Sequence, residues 1–103
     1  MKNISSITTN YKSNHKKICE VRFKVFVDEQ NVPEELEIDG FDDDATHALI
    51  LLDNKAIGTG RILSDGHIGR VAVLQKYRGQ GVGKLIMKML IEWAQKNQLK
   101  TLW

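Results

Sequence analysis

The chain has 103 residues, of which 42% are hydrophobic and 27% are charged, and its formal net charge is +2. This length predicts a single domain over residues 1–103, and so small a net charge without a basic run argues against nucleic-acid binding. No apolar run has the length of a membrane span, so we expect no membrane partner. The single cysteine, Cys19, excludes an intrachain disulfide, and the first residues lack the apolar stretch of a signal peptide, which together favour a cytoplasmic location.

The first predicted elements are a short strand over Asn3 to Thr8 and a helix that runs from about Tyr11 towards Asp28. Apolar side chains recur along the helix in two adjacent rows: Ile18, Val21 and Val25, and Cys19, Phe23 and Phe26. So broad an apolar face predicts packing on a sheet, with Cys19 as a small buried hydrophobic residue. His15 lies near the polar start of the helix and is predicted to be on the surface.

An acidic connector follows, from Asp28 to Asp44. It contains nine of the 13 acidic residues of the chain: Asp28, Glu29, Glu34, Glu35, Glu37, Asp39, Asp42, Asp43 and Asp44. The only proline and the pair Asp39-Gly40 predict irregular structure here. We expect most of these carboxylates to be solvated; the alternative is a negative rim that attracts a cationic amine. The spacing of a calcium-binding EF-hand loop does not occur, and we predict no metal site.

Three consecutive antiparallel strands are predicted next. His47 to Leu52 is an apolar run typical of a buried strand, and Ala56 to Leu63 is the return strand after a polar turn. A second turn with Gly66 leads into His67 and the β-branched run that ends at Leu74.

The most informative stretch is the glycine-rich turn that follows this third strand, RGQGVGK over residues 78–84. After it, apolar residues recur at helical spacing: Val82, Leu85, Ile86, Met89, Leu90 and Trp93. The first N–H groups of a helix lack intrahelical partners and carry partial positive charge, and glycines leave them accessible to an anion. Arg78 and Lys84 add full positive charges. The turn therefore predicts a diphosphate site.

Two familiar phosphate motifs do not fit this turn. A Walker P-loop requires Ser or Thr after Gly-Lys, whereas Leu85 follows Lys84, and Arg78 stands where its first glycine belongs. A dinucleotide fingerprint requires a third glycine where Lys84 stands. The structural alternative is a turn whose glycines only allow tight packing of strand against helix. Three alternating glycines between Arg78 and Lys84 favour a ligand site.

Two blocks of sequence resemble a known family. The pattern Arg78-x-x-Gly81-x-Gly83, which follows the predicted strand, resembles the acetyl-CoA loop of the GNAT (Gcn5-related) N-acetyltransferases. The block VRFKVFVDEQNVP over residues 21–33, followed by Glu37-x-Asp39 and His47, is similar to the ElaA/YjcF-like branch of that family. Together the two blocks cover most of the chain.

The resemblance implies an α/β GNAT fold, with a mixed, mostly antiparallel sheet flanked by helices on both faces and without its C-terminal part. It implies an N-acetyltransferase that transfers acetyl from acetyl-CoA to a primary amine of a small molecule or peptide by direct attack. The residues implied in cofactor binding are Val71, Ala72, Val73, Arg78, Gly79, Gln80, Gly81, Val82, Gly83 and Lys84. Of these, Val71 to Val73 would act through backbone N–H groups that stabilise the oxyanion.

The general base is not identified by the sequence. Some relatives have a glutamate where Gly69 stands, and the candidates that remain are His47, His67 and Glu37, with Asp39 beside them. The tyrosine that protonates the CoA thiolate in relatives is expected after Trp103.

Leu99 to Trp103 is predicted to begin another strand. The chain ends inside this apolar segment, so we expect either a truncated domain or a homodimer in which a second copy completes the sheet. A second hypothesis is therefore an inactive CoA-binding remnant or assembly module, and a third is a general binder of nucleotide phosphates.

Overall fold

Four consecutive strands form one antiparallel sheet in the computed structural model, which describes residues 3–103. The strands are β1 (Ile4–Thr9), β2 (Thr46–Leu52), β3 (Lys55–Ile62) and β4 (Ile68–Val73), and they lie in the order β1-β2-β3-β4. Each pairs with the next in the chain. The four strands expected from the apolar runs are confirmed, because each run has the alternation or the β-branched content of a strand.

We expected a strand at the end of the chain, and this prediction is wrong. Residues 99–103 form no strand, and only Trp103 pairs with the sheet. Ile68 N donates to Trp103 O at 2.6 Å, and Trp103 N donates to Gly66 O at 3.1 Å, which is the pattern of a parallel pair. The four strands of the described chain are therefore all antiparallel, and the parallel component that we expected is limited to these two bonds of Trp103.

Helices cover both faces of the sheet. Helix α1 (Tyr11–Arg22) is capped by Asn10, whose Oδ1 accepts from Ser13 N at 2.8 Å, and it continues as a π-helix over Phe23–Glu29. A short helix, α2 (Glu34–Glu37), interrupts the connector that was predicted to be irregular. Helix α3 (Val82–Lys96) begins directly after the glycine-rich turn, as predicted.

The alternation of side chains in β2 produces two cores. The core on the α3 face contains Ala48, Ile50, Ile57, Ile62, Val82, Ile86, Leu90 and Ala94, and the core on the α1 face contains Ile18, Val21, Val25, Leu49, Leu51, Ala56 and Ala72. His15 is exposed, as predicted. Cys19 is only partly buried, because its Sγ faces the hydroxyl of Tyr11 at 3.1 Å instead of the apolar core.

Two glycines of β3 set the position of α3. A Cβ at Gly58 would lie 2.8 Å from Val82 Cγ1, and one at Gly60 would lie 2.6 Å from Ile86 Cγ2. The absence of these Cβ atoms allows the first two turns of α3 to approach the sheet. The start of α3 consequently lies beside the end of β4.

Candidate functional site

The glycine-rich turn lines an open cleft between the end of β4 and the start of α3. The cleft has a volume of about 450 Å³ and is lined by Val73, Tyr77, Arg78, Gly79, Gly81, Val82, Gly83 and Lys84. A Cβ at Gly79, Gly81 or Gly83 would meet no atom within 4 Å. The explanation that these glycines only allow tight packing is therefore wrong. Gly79 and Gly81 have φ of +77° and +86°, which glycine adopts readily, whereas Gly83 has neither a positive φ nor a close neighbour.

The backbone amides of this turn point to no protein acceptor. Within residues 3–103, none of the N–H groups from Gly79 to Lys84 donates a hydrogen bond, and the first bond of α3 runs from Leu85 N to Gly81 O at 3.0 Å. An accessible N-terminus without a side-chain cap carries the positive end of the helix dipole. The cleft therefore offers several donors and partial positive charge to an anion.

Arg78 connects this turn to two other elements. Its Nε donates to Val73 O at 2.9 Å, and its Nη2 donates to Glu29 Oε1 at 2.8 Å. The side chain is 42% exposed, so one side of the guanidinium remains accessible. Arg78 thus fixes the turn against β4 and the π-helix. Lys84 is exposed at the other side of the cleft.

The outer edge of β4 continues the cleft. Leu74 N donates to Ile57 O at 2.9 Å, towards β3. Because successive residues of a strand direct their backbone groups to opposite sides, Val73 and Val71 face away from β3, and the bond between Val73 O and Arg78 agrees with this. Ala72 pairs with Thr59 and is turned towards β3. Of the three predicted residues, two therefore present their amides at the open edge.

A largely buried cluster of charged residues beside the sheet was missed by the sequence analysis. We call it the ionic cluster; it consists of Arg22, Glu37, Asp39, Asp42, Arg61 and Arg70. Arg22 is 1% exposed and donates to Glu37 Oε1 at 2.5 Å and to Asp42 Oδ1 at 2.6 Å. The signal was present in the sequence: Arg22 stands within the apolar face of a helix, and a buried arginine needs acidic partners.

The second half of the ionic cluster is built on β3 and β4. Arg61 donates two hydrogen bonds to Asp39, at 2.5 and 2.9 Å, and one to Asp42 Oδ1 at 3.0 Å. Arg70 Nη2 lies 3.2 Å from Asp39 Oδ2. The Arg61 guanidinium holds the pKa of the Asp39 carboxyl well below its usual range. Glu37, Asp39 and Asp42 therefore do not belong to a solvated acidic rim, although the other six acidic residues of the connector are exposed.

Three of the four candidate bases lie in or against this cluster, and one of them, Asp39, is the carboxylate that Arg61 and Arg70 bind. Glu37 is 2% exposed and bound to Arg22, and His47 is 1% exposed with its Nε2 donating to Asp42 O at 3.1 Å. Burial lowers the pKa of His47, so its imidazole is neutral at pH 7. Neither position suits a general base, because the groups are engaged and an external amine has no access to them. His67 is partly exposed and stacks on Trp103, with ring centroids 3.9 Å apart.

The described chain shows no group of three or more His, Cys, Asp or Glu residues arranged to hold a metal ion. Across residues 3–103, no helix is long and apolar enough to cross a membrane.

Comparison with known proteins gives three kinds of match. The model of the acetyltransferase (GNAT) family matches residues 15–103. The uncharacterized N-acetyltransferase YjcF of Bacillus subtilis is 44% identical over 73 residues, which are 68% of this chain and 52% of that protein. The matched region therefore spans about half the length of that relative.

Two solved structures share the fold closely. ElaA of Escherichia coli superposes with a TM-score of 0.83 at 28% identity, covering 95% of this chain and 74% of ElaA. An acyl-CoA N-acyltransferase from Pseudomonas aeruginosa superposes with a TM-score of 0.83 at 27% identity, covering 95% of this chain and 75% of that one.

Proposed function

Because the chain belongs to the acetyltransferase (GNAT) family, we propose that it binds acetyl-CoA and transfers the acetyl group to a primary amine of a small molecule or peptide by direct attack. The observation that carries this proposal is the open glycine-rich turn. Its amides from Gly79 to Lys84 have no acceptor among the described residues, and no side chain fills the space above Gly79, Gly81 and Gly83.

In this proposal the turn holds the diphosphate of the donor. The amides of the turn donate to phosphate oxygens, the dipole of α3 adds partial positive charge, and Lys84 supplies a full charge at the cleft. Arg78 orients the turn through Val73 and Glu29 and keeps an exposed side towards the anion. The pantetheine arm then extends along the open edge of β4.

The same edge supplies the chemistry at the acyl group. A primary amine with an ordinary pKa of about 10.4 must lose a proton before its lone pair attacks the thioester carbonyl. As the new C–N bond forms, negative charge develops on the carbonyl oxygen, and the amides of Val71 and Val73 are the donors at this edge that stabilise it. Collapse of the intermediate breaks the C–S bond and releases the CoA thiolate. Of the four candidate bases, Glu37 and His47 are buried and Asp39 is bound by Arg61. His67 is partly exposed, so its replacement is the first to measure.

The proposal includes a cytoplasmic location, which the single cysteine supports, and an amine acceptor without nucleic acid or membrane as partner.

Ligand-induced stabilisation and thiol release test this function together. We expect acetyl-CoA and CoA to raise Tm, ATP to raise it much less, and free thiol to appear when acetyl-CoA is mixed with a panel of primary amines. Stabilisation by CoA without thiol release would favour the inactive CoA-binding module. Equal stabilisation by ATP and CoA would favour a general binder of nucleotide phosphates, and no stabilisation by either would contradict the proposal.

A further inference from the structure

A β-bulge interrupts β4 directly before the edge assigned to the acetyl donor. Thr59 pairs with Ala72 and Arg61 pairs with Gly69, so one residue of β3, Gly60, faces two residues of β4, Arg70 and Val71. The side chains agree: Ile68 and Val71 both pack on the α3 face although they are three residues apart, an odd spacing that requires an extra residue in the strand. The bulge therefore decides which backbone groups beyond it face the open edge.

The residue inside the bulge has an unusual backbone conformation. Arg70 has a φ of +50°, in the left-handed region that residues with a Cβ rarely adopt. Glycine is the usual residue at such a bulge position, and a glycine stands immediately before it, at Gly69. The backbone alone would favour glycine at position 70. An arginine there indicates that its side chain compensates for the strain.

Within residues 3–103, the hydrogen bonds and ion pairs of the Arg70 side chain all go to the connector. Its Nη2 lies 3.3 Å from Leu36 O, 3.2 Å from Glu37 O and 3.2 Å from Asp39 Oδ2. Its Nε lies 3.6 Å from Glu37 Oε1. Because Asp39 is also bound by Arg61 of β3, the anchor is itself fixed to the sheet.

We propose that Arg70 is a positioning residue for the donor site: by tying the bulge of β4 to Leu36, Glu37 and Asp39, it directs the amides of Val71 and Val73 outward to the acyl-pantetheine arm. Arg70 does not contact the donor. This inference rests on the proposed function, and it adds a link between the ionic cluster and the reacting edge. Without the side chain, loss of the bulge would shift the pairing of the residues beyond it by one and turn the amides of Val71 and Val73 towards β3.

The test is an acetyl-CoA titration followed by amide NMR, with the variant Arg70→Gly. Glycine tolerates the positive φ, so this variant removes the tether with the smallest cost to the backbone. In the wild type we expect acetyl-CoA to shift the amide signals of Gly79 to Lys84 and those of Val71 and Val73. In Arg70→Gly we expect the turn signals to shift still, those of Val71 and Val73 to shift no longer, and Kd to rise about tenfold, which is the effect of about one lost hydrogen bond.

Two further variants control the comparison. All the direct hydrogen bonds of Arg70 pass through Nη2, so Arg70→Lys, whose ammonium has three donors, is expected to restore the shifts at β4. Asn54→Gly, at another positive-φ residue in the β2–β3 turn, is expected to behave as the wild type. If Arg70→Gly does not fold, Arg70→Gln is measured in its place with the same expectation.

If the signals of Val71 and Val73 in Arg70→Gly still shift with acetyl-CoA as they do in the wild type and Kd is unchanged, the positioning role is overturned and the proposed function remains intact. A wild type whose amides do not respond to acetyl-CoA at all would overturn the proposed function, and this inference with it.

Discussion

At the scale of single residues, Arg22 has the most demanding environment. It donates to Glu37 and Asp42 and is almost fully buried, as are both partners. Taking three charges out of water is costly, and the cost is offset only while every member is paired. Arg22 also donates to Glu37 O at 3.1 Å, which holds the end of α2 against α1. Arg22 therefore fixes the connector at Glu37, which lies 15 positions later in the chain.

Replacing Arg22 by methionine is expected to lower the free energy of unfolding by about 3–5 kcal/mol, because Glu37 and Asp42 would remain buried without their cation. The measurement is urea unfolding followed by tryptophan fluorescence. The double variant Arg22→Met/Glu37→Gln is expected to recover part of the loss, and Lys24→Met, at an exposed position of the neighbouring helical turn, to cost less than about 0.5 kcal/mol. A loss below about 1 kcal/mol in Arg22→Met would contradict this account.

His47 makes stability depend on pH in the mildly acidic range. Burial lowers the pKa of His47 in the folded state below its ordinary value, so between the two values the unfolded chain binds a proton that the folded chain does not. The contribution of neutral His47 to the free energy of unfolding is therefore present in full above about pH 6.5. This contribution decreases as the pH falls through the unfolded pKa. We expect Tm to decrease between pH 7.5 and pH 5.5, and His47→Gln to flatten this part of the curve. If Tm decreases with pH as steeply in His47→Gln as in the wild type, another titratable group causes the effect.

At the scale of elements, the junction of β4 with α3 concentrates the features of the site. Gly58 and Gly60 allow α3 to approach β3, and the amides at the start of α3 are left exposed. Gly83 lies in the first turn of α3, where neither its φ nor a neighbouring atom requires glycine. A helix position that could hold alanine but holds glycine is unfavourable for stability. We attribute it to the space that a ligand needs above the amides.

Gly83→Ala is accordingly expected to change stability and binding in opposite directions. Alanine should raise the unfolding free energy by about 0.5–1 kcal/mol through its higher helix propensity, while its Cβ should weaken acetyl-CoA binding about tenfold or more. Thermal unfolding and calorimetric titration measure the two effects. Lys88→Ala, on the exposed side of α3, should leave both nearly unchanged. A variant that is more stable and binds acetyl-CoA as the wild type does would show that the ligand does not approach this helical turn.

At the scale of the whole molecule, one edge of the sheet is largely unpaired within the described residues. The outer side of β4 pairs only with Trp103 among the described residues, and beside it lies an apolar cleft of about 400 Å³. The cleft is lined by Ile68, Val71, Met87, Ile91, Leu102 and Trp103. Trp103 is 62% exposed. An unpaired strand edge next to exposed apolar side chains favours association.

We therefore expect the 103-residue chain to form dimers at micromolar concentration, measurable by sedimentation velocity. Ile91→Lys places a charge in the cleft without touching the glycine-rich turn, and it should shift the chain towards monomer. Lys96→Glu, at the far end of α3, serves as a control for the added change of charge. A wild type that stays monomeric at 100-fold higher concentration would contradict the expectation.

Much of this architecture was open to prediction from local pattern. The strand before the glycine-rich turn, the turn itself and the apolar face from Val82 to Trp93 follow from periodicity and from the chemistry of glycine, which act between residues close in the chain. The openness of the turn, on which the proposed donor site depends, could be anticipated because tight packing rarely needs three alternating glycines between Arg78 and Lys84. The prediction of a final strand was wrong. An apolar run indicates that a segment favours pairing, but of residues 99–103 only Trp103 makes backbone hydrogen bonds to the sheet.

The sequence by itself determined the order of the elements and the glycine-rich turn that we propose as the anion site, because both depend on contacts between near neighbours. Only the tertiary structure decided which charges meet. Arg61 and Asp39 are 22 positions apart, and Arg70 and Leu36 are 34 apart, so neither pair has a local signal. The bulge at Arg70 was decided in the same way, since the groups that bind the Arg70 side chain lie 31 to 34 positions away in the chain.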